Sequence, residues 1–239
     1  MTEYVLVTGA SRNIGRAIAT RCKADGYSVI MLDRIEPEDA TLGEFVRADL
    51  ADPEATATAL ARITEGRTIT RAVLNAAVLE MSLISDVKAD AFDMLMAVNT
   101  RANIQLVQAL VPGMKAEKFG RIITLGSRSI LGSVVRETSI AASKGAMLSM
   151  TRSWAVELAP HGITVNMVGP GAIETDMLTQ AYPLGSETRA AALRGQPSGR
   201  FGKSEEVAHA ISFFLDSRSG YVSGQDLFVC GAMTAGRWT

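Results

Sequence analysis

The sequence predicts a single-domain, doubly wound parallel α/β sheet of about seven strands, with helices on both faces. Three observations carry this. Short runs of Val, Ile and Leu alternate with amphipathic stretches along the chain, the pattern of strands that are buried on both sides. The 239 residues suffice for one large domain, and no repeat, low-complexity tract or linker divides them. Hydrophobic residues make up 47% of the chain, enough to cover both faces of such a sheet.

Each element follows from local pattern. Tyr4–Thr8 is an apolar run ended by Gly9, and Ile14–Ala24 spaces its apolar residues as a helix does. Ser28–Leu32 is the next buried run and ends at Asp33. Only ten residues separate Asp33 from Glu44, so the helix of that crossover is expected to shrink to a turn. Glu44–Arg47 reads as the third strand. Pro53–Thr64 reads as a helix, with proline in the first turn, where a missing N–H costs nothing. Arg71–Leu74 is the fourth strand. Ala89–Lys118 carries a long helix, with Pro112 as a candidate break. Arg121–Leu125, Ile163–Val168 and Leu227–Cys230 are the remaining strands; Ser139–Leu158 and Ser204–Leu215 are the remaining helices. The stretch 173–202, with Pro183, Gly185, Gly195, Pro197 and Gly199, is less regular. It is expected to be a substrate loop or lid, a plain surface excursion being the alternative.

Composition narrows the function. Lys and Arg number 24 against 25 Asp and Glu, a net charge of −1, which argues against nucleic acid or an acidic membrane as partner. Cys22 and Cys230 make no disulfide framework and suit a reducing compartment as two packed thiols. His161 and His209 fall in no metal-ligand spacing. Neither a signal peptide nor an apolar run of about 18 residues is visible, so a cytoplasmic protein with a small-molecule substrate is expected.

Thr8-Gly9-Ala10-Ser11-Arg12-Asn13-Ile14-Gly15 joins the first strand to the first helix. Glycines there let the backbone turn tightly and approach a pyrophosphate, and the helix N-terminus offers free N–H groups to the anion. The alternative is a purely structural turn. Asp33, ending the second strand, suits the two ribose hydroxyls of NAD and repels a 2′-phosphate, whereas Arg12 would favour NADP. Weighed together they predict NAD as the preferred cofactor and NADP as the second option.

These residues, with those that follow, resemble the short-chain dehydrogenase/reductase family, in its ketoacyl-reductase-like branch, over nearly the whole chain. The family's glycine motif usually reads TGxxxGxG; Thr8, Gly9 and Gly15 match it and Asn13 departs, as the non-glycine residue that best tolerates positive φ. The resemblance implies a Rossmann-like fold and cofactor contacts from Gly9, Ser11, Arg12, Asn13, Ile14, Gly15 and Asp33. It places Asp49 and Leu50 at the adenine and adds Asn75-Ala76-Ala77, which resembles the NNAG segment. Pro170 and Gly171, followed by Thr175 for the nicotinamide carboxamide, complete the cofactor set. Asn99, Ser127 and Lys144 match the catalytic asparagine, serine and lysine, Lys144 also meeting the cofactor. Gly224 to Gly231 resembles the last strand and its turn. The family also implies a homodimer or homotetramer built on the fourth and fifth helices, where Ala141, Ala142, Gly145 and Ala146 permit close packing.

One element departs. The family's tyrosine stands four residues before the lysine, and that position is Ile140; the spacing of Ser127 and Lys144 fixes the register. A tyrosine, with an ordinary pKa of about 10, becomes a useful acid/base beside an ammonium. Losing a positioned general acid typically costs roughly 10²–10⁴-fold. Several outcomes stay open. Asn99, Ser127 and Lys144 can move the proton through water; Tyr182 can fold over the site as the acid; the substrate can bring its own. The leading expectation is therefore an NAD(P)-dependent oxidoreductase on an alcohol/carbonyl pair with an atypical proton-transfer route. A non-redox enzyme using Lys144 and Ser127 is the second reading, and a nucleotide-binding protein without turnover the third. Arg128 and Arg136 flank the expected pocket and suggest an anionic substrate group; solvated arginines or a salt bridge to Glu137 explain them as well.

Overall fold

The computed structural model describes residues 2–132 and 135–236. Seven strands form one parallel sheet in the order β3-β2-β1-β4-β5-β6-β7. They are β1 (Tyr4–Thr8), β2 (Ser28–Asp33), β3 (Glu44–Arg47), β4 (Arg71–Leu74), β5 (Gly120–Leu125), β6 (Ile163–Pro170) and β7 (Asp226–Val229). The order reverses between β1 and β4, which opens a crevice at their carboxyl ends where ligands bind in doubly wound sheets.

Two cores, one per face, hold the sheet. On one side Leu6, Ile30, Leu74 and Ile122 pack against α2 (Pro53–Thr64), α4 (Ala102–Glu117) and α5 (Thr138–Leu158). On the other, Val5, Val7, Val73 and Ile123 pack against α1 (Asn13–Ala24) and α8 (Ser204–Leu215). The alternation of inward residues along each strand makes both cores from one sequence run. At the amino ends of the strands Arg71 and Arg121 are almost fully buried. They donate to the carbonyls of Leu215 and of Asp216 and Ser217, and stack on Phe119. That end of the sheet is thereby anchored to the tail of α8.

The expected elements are present with small shifts of boundary. The short crossover after Asp33 holds a 3₁₀ turn, Ala40–Leu42, capped by Asp39. Two expectations need correction. The long helix breaks at Ala97–Arg101, a π-turn between α3 (Ala89–Met96) and α4, and runs through Pro112 unbroken. The stretch 173–202 contains α6 (Asp176–Ala181), capped by Thr175, and α7 (Glu187–Arg194), capped by Ser186. Both caps are hydroxyls that accept from the N–H of the first turn, a start signal that the surrounding prolines and glycines hid. Among the described residues no helix is long and apolar enough to cross a membrane, and no His/Cys/Asp/Glu group could hold a metal.

Candidate active site

The turn after β1 is shaped by contacts that exclude side chains. Gly9 has φ +63°, and a Cβ there would lie 2.9 Å from Ala76 Cα. A Cβ on Gly15 would lie 1.8 Å from the Gly9 carbonyl oxygen. The Asn75 amide donates to the carbonyls of Thr8 (2.9 Å) and Gly9 (3.0 Å), while Thr8 Oγ1 accepts from the N–H groups of Asn75 and Ala76. These bonds lock the segment after β4 to the end of β1. Asn13 takes φ +50°, so the left-handed turn survives without the glycine. Its amide donates to Asp176 Oδ2 (2.9 Å), and its Oδ1 accepts from the Asp176 N–H (3.3 Å), tying the turn to the start of α6.

The first turn of α1 has no side-chain cap, so its N–H groups remain available to an anion. Asp33 accepts from Ser11 N (3.0 Å) and Ile35 N (3.2 Å), which aims its carboxylate across the crevice while leaving lone pairs for ribose hydroxyls. Arg12 is exposed beside it, and so is Arg34, which the sequence reading passed over although it directly follows the strand-ending acid. Asp49 holds its own turn through Ala51 N, and Leu50 is buried beneath it. Across the crevice Gly171 is pressed against Cys230, 2.7 Å from a would-be Cβ to its Cα. Pro170 ends β6, and Thr175 caps α6 with its hydroxyl. Closely packed glycines, free helix N–H groups and a strand-end carboxylate fit a nicotinamide dinucleotide.

Three candidate catalytic side chains converge on the same edge. Asn99 sits in the π-turn, fully buried; its Oδ1 accepts from Val78 N (2.9 Å), and its Nδ2 donates to Val78 O (3.0 Å) and Ser143 Oγ (3.2 Å). The Asn99 carbonyl is taken by the Asn103 amide at 2.7 Å. Lys144, one residue beyond Ser143, donates to Leu125 O at 2.7 Å. Burial alone pushes its ammonium down to about 8, because removing a charge from water favours the neutral amine. Ser127 follows β5 by two residues; its Oγ accepts from Ser129 N (3.1 Å) and lies 2.7 Å from Ser129 Oγ. Ser129 Oγ in turn donates to Glu137 Oε2 in a short contact.

The remaining candidates divide. Ile140 is buried on α5. Its neighbour Ser139 points to Glu80 (3.2 Å). Arg128 is half-buried, and Arg136, at φ +71°, donates to Met81 O (3.3 Å). Among the described residues the alternative of a salt bridge from these arginines to Glu137 is not seen; the carboxylate accepts from Ser129 on the 3₁₀ turn (Arg128–Leu131). Tyr182 ends α6, its carbonyl held by Arg189, which pairs with Glu174. Among the described residues no hydrogen bond links it to Ser127 or Lys144. The Ser129–Glu137 link was missed because it spans the loop before α5. Its trace in sequence is a serine two residues after Ser127.

Comparison with known proteins agrees with this geometry. Residues 9–234 match the family described as Enoyl-(Acyl carrier protein) reductase. The 3-oxoacyl-[acyl-carrier-protein] reductase FabG of Escherichia coli is 34% identical over 241 residues, covering 97% of each chain. The chain belongs to the short-chain dehydrogenase/reductase family. FabG of Vibrio harveyi, at 35% over the same span, is a further relative. Among solved structures, a gluconate 5-dehydrogenase of Burkholderia cenocepacia in complex with NADP and tartrate superposes with TM-score 0.90 at 27% identity, over 98% of this chain and 96% of that one. Levodione reductase superposes with TM-score 0.90 at 25% identity, over 98% of both chains. As a short-chain dehydrogenase/reductase, the protein is an NAD(P)-dependent oxidoreductase.

Proposed function

We propose that the protein interconverts an alcohol and a carbonyl with NAD as the preferred cofactor, by a proton route that uses no tyrosine on α5. By its spacing from Ser127 and Lys144, Ile140 stands where this family carries that tyrosine. The observation that carries the reading is the retention of everything around it: Asn99 tied to Ser143, Lys144 buried against Leu125 O, and Ser127 at the mouth of the crevice. The dinucleotide, when bound, supplies the hydride acceptor or donor. Gly9, Asn13 and Gly15, with Ser11 and Ile14, shape its phosphate site. Asp33 holds the ribose, Asp49 and Leu50 border the adenine, and Asn75, Ala76, Pro170, Gly171 and Thr175 line the nicotinamide side. Ser127 binds the reacting oxygen, and Lys144 orients the nicotinamide ribose.

Asp33 supports NAD because a carboxylate accepts from two hydroxyls and repels a 2′-phosphate. The exposed Arg12 and Arg34, and the NADP found in the Burkholderia enzyme, pull the other way. Arg128 and Arg136 stand on the segment between β5 and α5, where guanidinium groups suit an anionic substrate, and 173–202 would cover it as a lid. The free thiols Cys22 and Cys230 accord with a cytoplasmic protein, and the open surface at Gly145 on α5 with a homodimer or homotetramer. Calorimetric titration with NADH and NADPH, followed by NADH absorbance against alcohols and ketones, tests the reading. Tighter NADH binding and a cofactor-coupled absorbance change are expected; binding of neither cofactor would overturn it. The lowered pKa of Lys144 favours one second reading, an amine nucleophile in a non-redox reaction. Product formed without change in NADH would select it.

A further inference from the structure

The chain Ser127–Ser129–Glu137 ends in a carboxylate that no part of the reading above uses. Its hydrogen bonds have a forced direction. A carboxylate only accepts, so the Ser129 hydroxyl proton is committed to Glu137. Ser129 Oγ then has only lone pairs to offer Ser127, so the Ser127 proton points to Ser129 across 2.7 Å. Ser127 Oγ also accepts from Ser129 N. What remains on Ser127 is one lone pair. It can serve a ligand only as an acceptor and therefore suits an alcohol O–H.

We infer that Glu137, acting through Ser129, is the terminal proton acceptor for an alcohol bound at Ser127, and so replaces the absent tyrosine in the direction of oxidation. This rests on the oxidoreductase reading. As the alcohol carbon loses its electron pair as hydride, the O–H bond breaks and its proton joins Ser127 Oγ. The Ser127 proton moves to Ser129 Oγ, and the Ser129 proton to Glu137 Oε2. The half-buried Glu137 then releases its proton to water. Both serines end as neutral hydroxyls with their hydrogen bonds reversed and turn back once Glu137 is ionised again, and one proton leaves per alcohol oxidised. In reduction a protonated Glu137 reverses every bond, so that Ser127 donates to a carbonyl.

The backbone keeps the relay in place. Glu137 pairs with Ser82 in an isolated bridge, and Ser129 is buried. The charged residues on the segments that flank Glu137 are Arg128 on the 3₁₀ turn, Arg136 next in sequence, Glu80 on the loop after β4, which accepts from Ser139 of α5, and Lys144 further along α5.

The test compares wild type with Glu137→Gln, Glu137→Asp and Ser129→Ala. Each is assayed for NAD+- and NADP+-dependent oxidation of gluconate, tartrate and a 3-hydroxyacyl thioester, with kcat followed against pH. Glu137→Gln and Ser129→Ala are expected to lower kcat for oxidation about 100-fold, with KM and dinucleotide affinity within about twofold. Glu137→Gln is also expected to remove the fall in kcat on the acid side, and Glu137→Asp to restore much of the rate. A wild-type enzyme that oxidises one of these alcohols while Glu137→Gln keeps its kcat and pH profile would overturn the relay and leave the oxidoreductase reading standing. Absence of oxidation of every alcohol by the wild type would overturn the relay as an oxidation device. Carbonyl reduction by that same protein would then show whether the broader reading survives.

Discussion

The two halves of the crevice are built by different means. On the cofactor half, shape is enforced by backbone: Gly9, Gly15 and Gly171 stand where a Cβ would strike a neighbouring main chain, and Asn13 supplies the positive φ of a missing glycine. On the substrate half, function rests on side-chain identity: Ser129 and Glu137 act through the hydrogen bond between them, and Ile140 is an apolar residue beside them in the sequence. The contrast teaches that the cofactor half tolerates little change in volume and the substrate half tolerates change in chemistry.

The strongest way to break the first half is Gly15→Ala. Its methyl would overlap the Gly9 carbonyl, so loss of about 3 kcal/mol of stability and of detectable NADH binding is expected, read by thermal unfolding and calorimetry. An alanine variant that binds normally would mean the turn is far softer than its packing implies. On the second half, Ile140→Tyr should raise carbonyl reduction at least 10-fold, with a fall in melting temperature because the larger ring enters a buried position. No gain would mean that the pocket around Ser127 has diverged beyond that one position.

Lys144 belongs to both halves, and its burial has a pH signature. Its ammonium is pushed from the ordinary 10.5 to about 8 in the fold. Between those values the unfolded chain binds more protons than the native one, so this group's contribution to stability rises with pH across that window, by ~3 kcal/mol in the limit. Below about 8 both states hold the proton, and the penalty for the buried charge is constant. Chemical denaturation at several pH values should show this rise in the wild type and not in Lys144→Met, which should also lose most activity. The smallest effect is expected for Asn13→Gly. Glycine keeps the positive φ, so dinucleotide affinity should change by less than about threefold by calorimetry, while the bond to Asp176 is lost.

The same contrast explains what could be read from sequence. The strands and the glycine turn were legible, because periodicity and glycine placement report backbone requirements, whereas Asn99, Ser127 and Lys144 came as what the family resemblance implies. The π-turn was not, since Ala97–Arg101 is helical in composition and its irregularity lies in one skipped hydrogen bond. Pro112 misled because the helix continues through it although its ring removes one backbone hydrogen bond. The caps of α6 and α7 were legible in principle at Thr175 and Ser186. The Ser129–Glu137 bond was not, because nothing in a linear string says that a loop folds back on itself over eight residues.

The π-turn also limits how this chain can vary in length. It places one surplus residue in an otherwise continuous helix, where it points Asn99 at Val78 and Ser143. Deleting one of residues 97–101 would give a more regular helix and, because the wide turn already absorbs the surplus residue, would leave α3 and the body of α4 close to their present register. What would be lost is the local swing that points Asn99 at Val78 and Ser143. A change that improves the backbone hydrogen bonding would thus cost the site and not the fold, and a shortened chain should fold normally while losing activity.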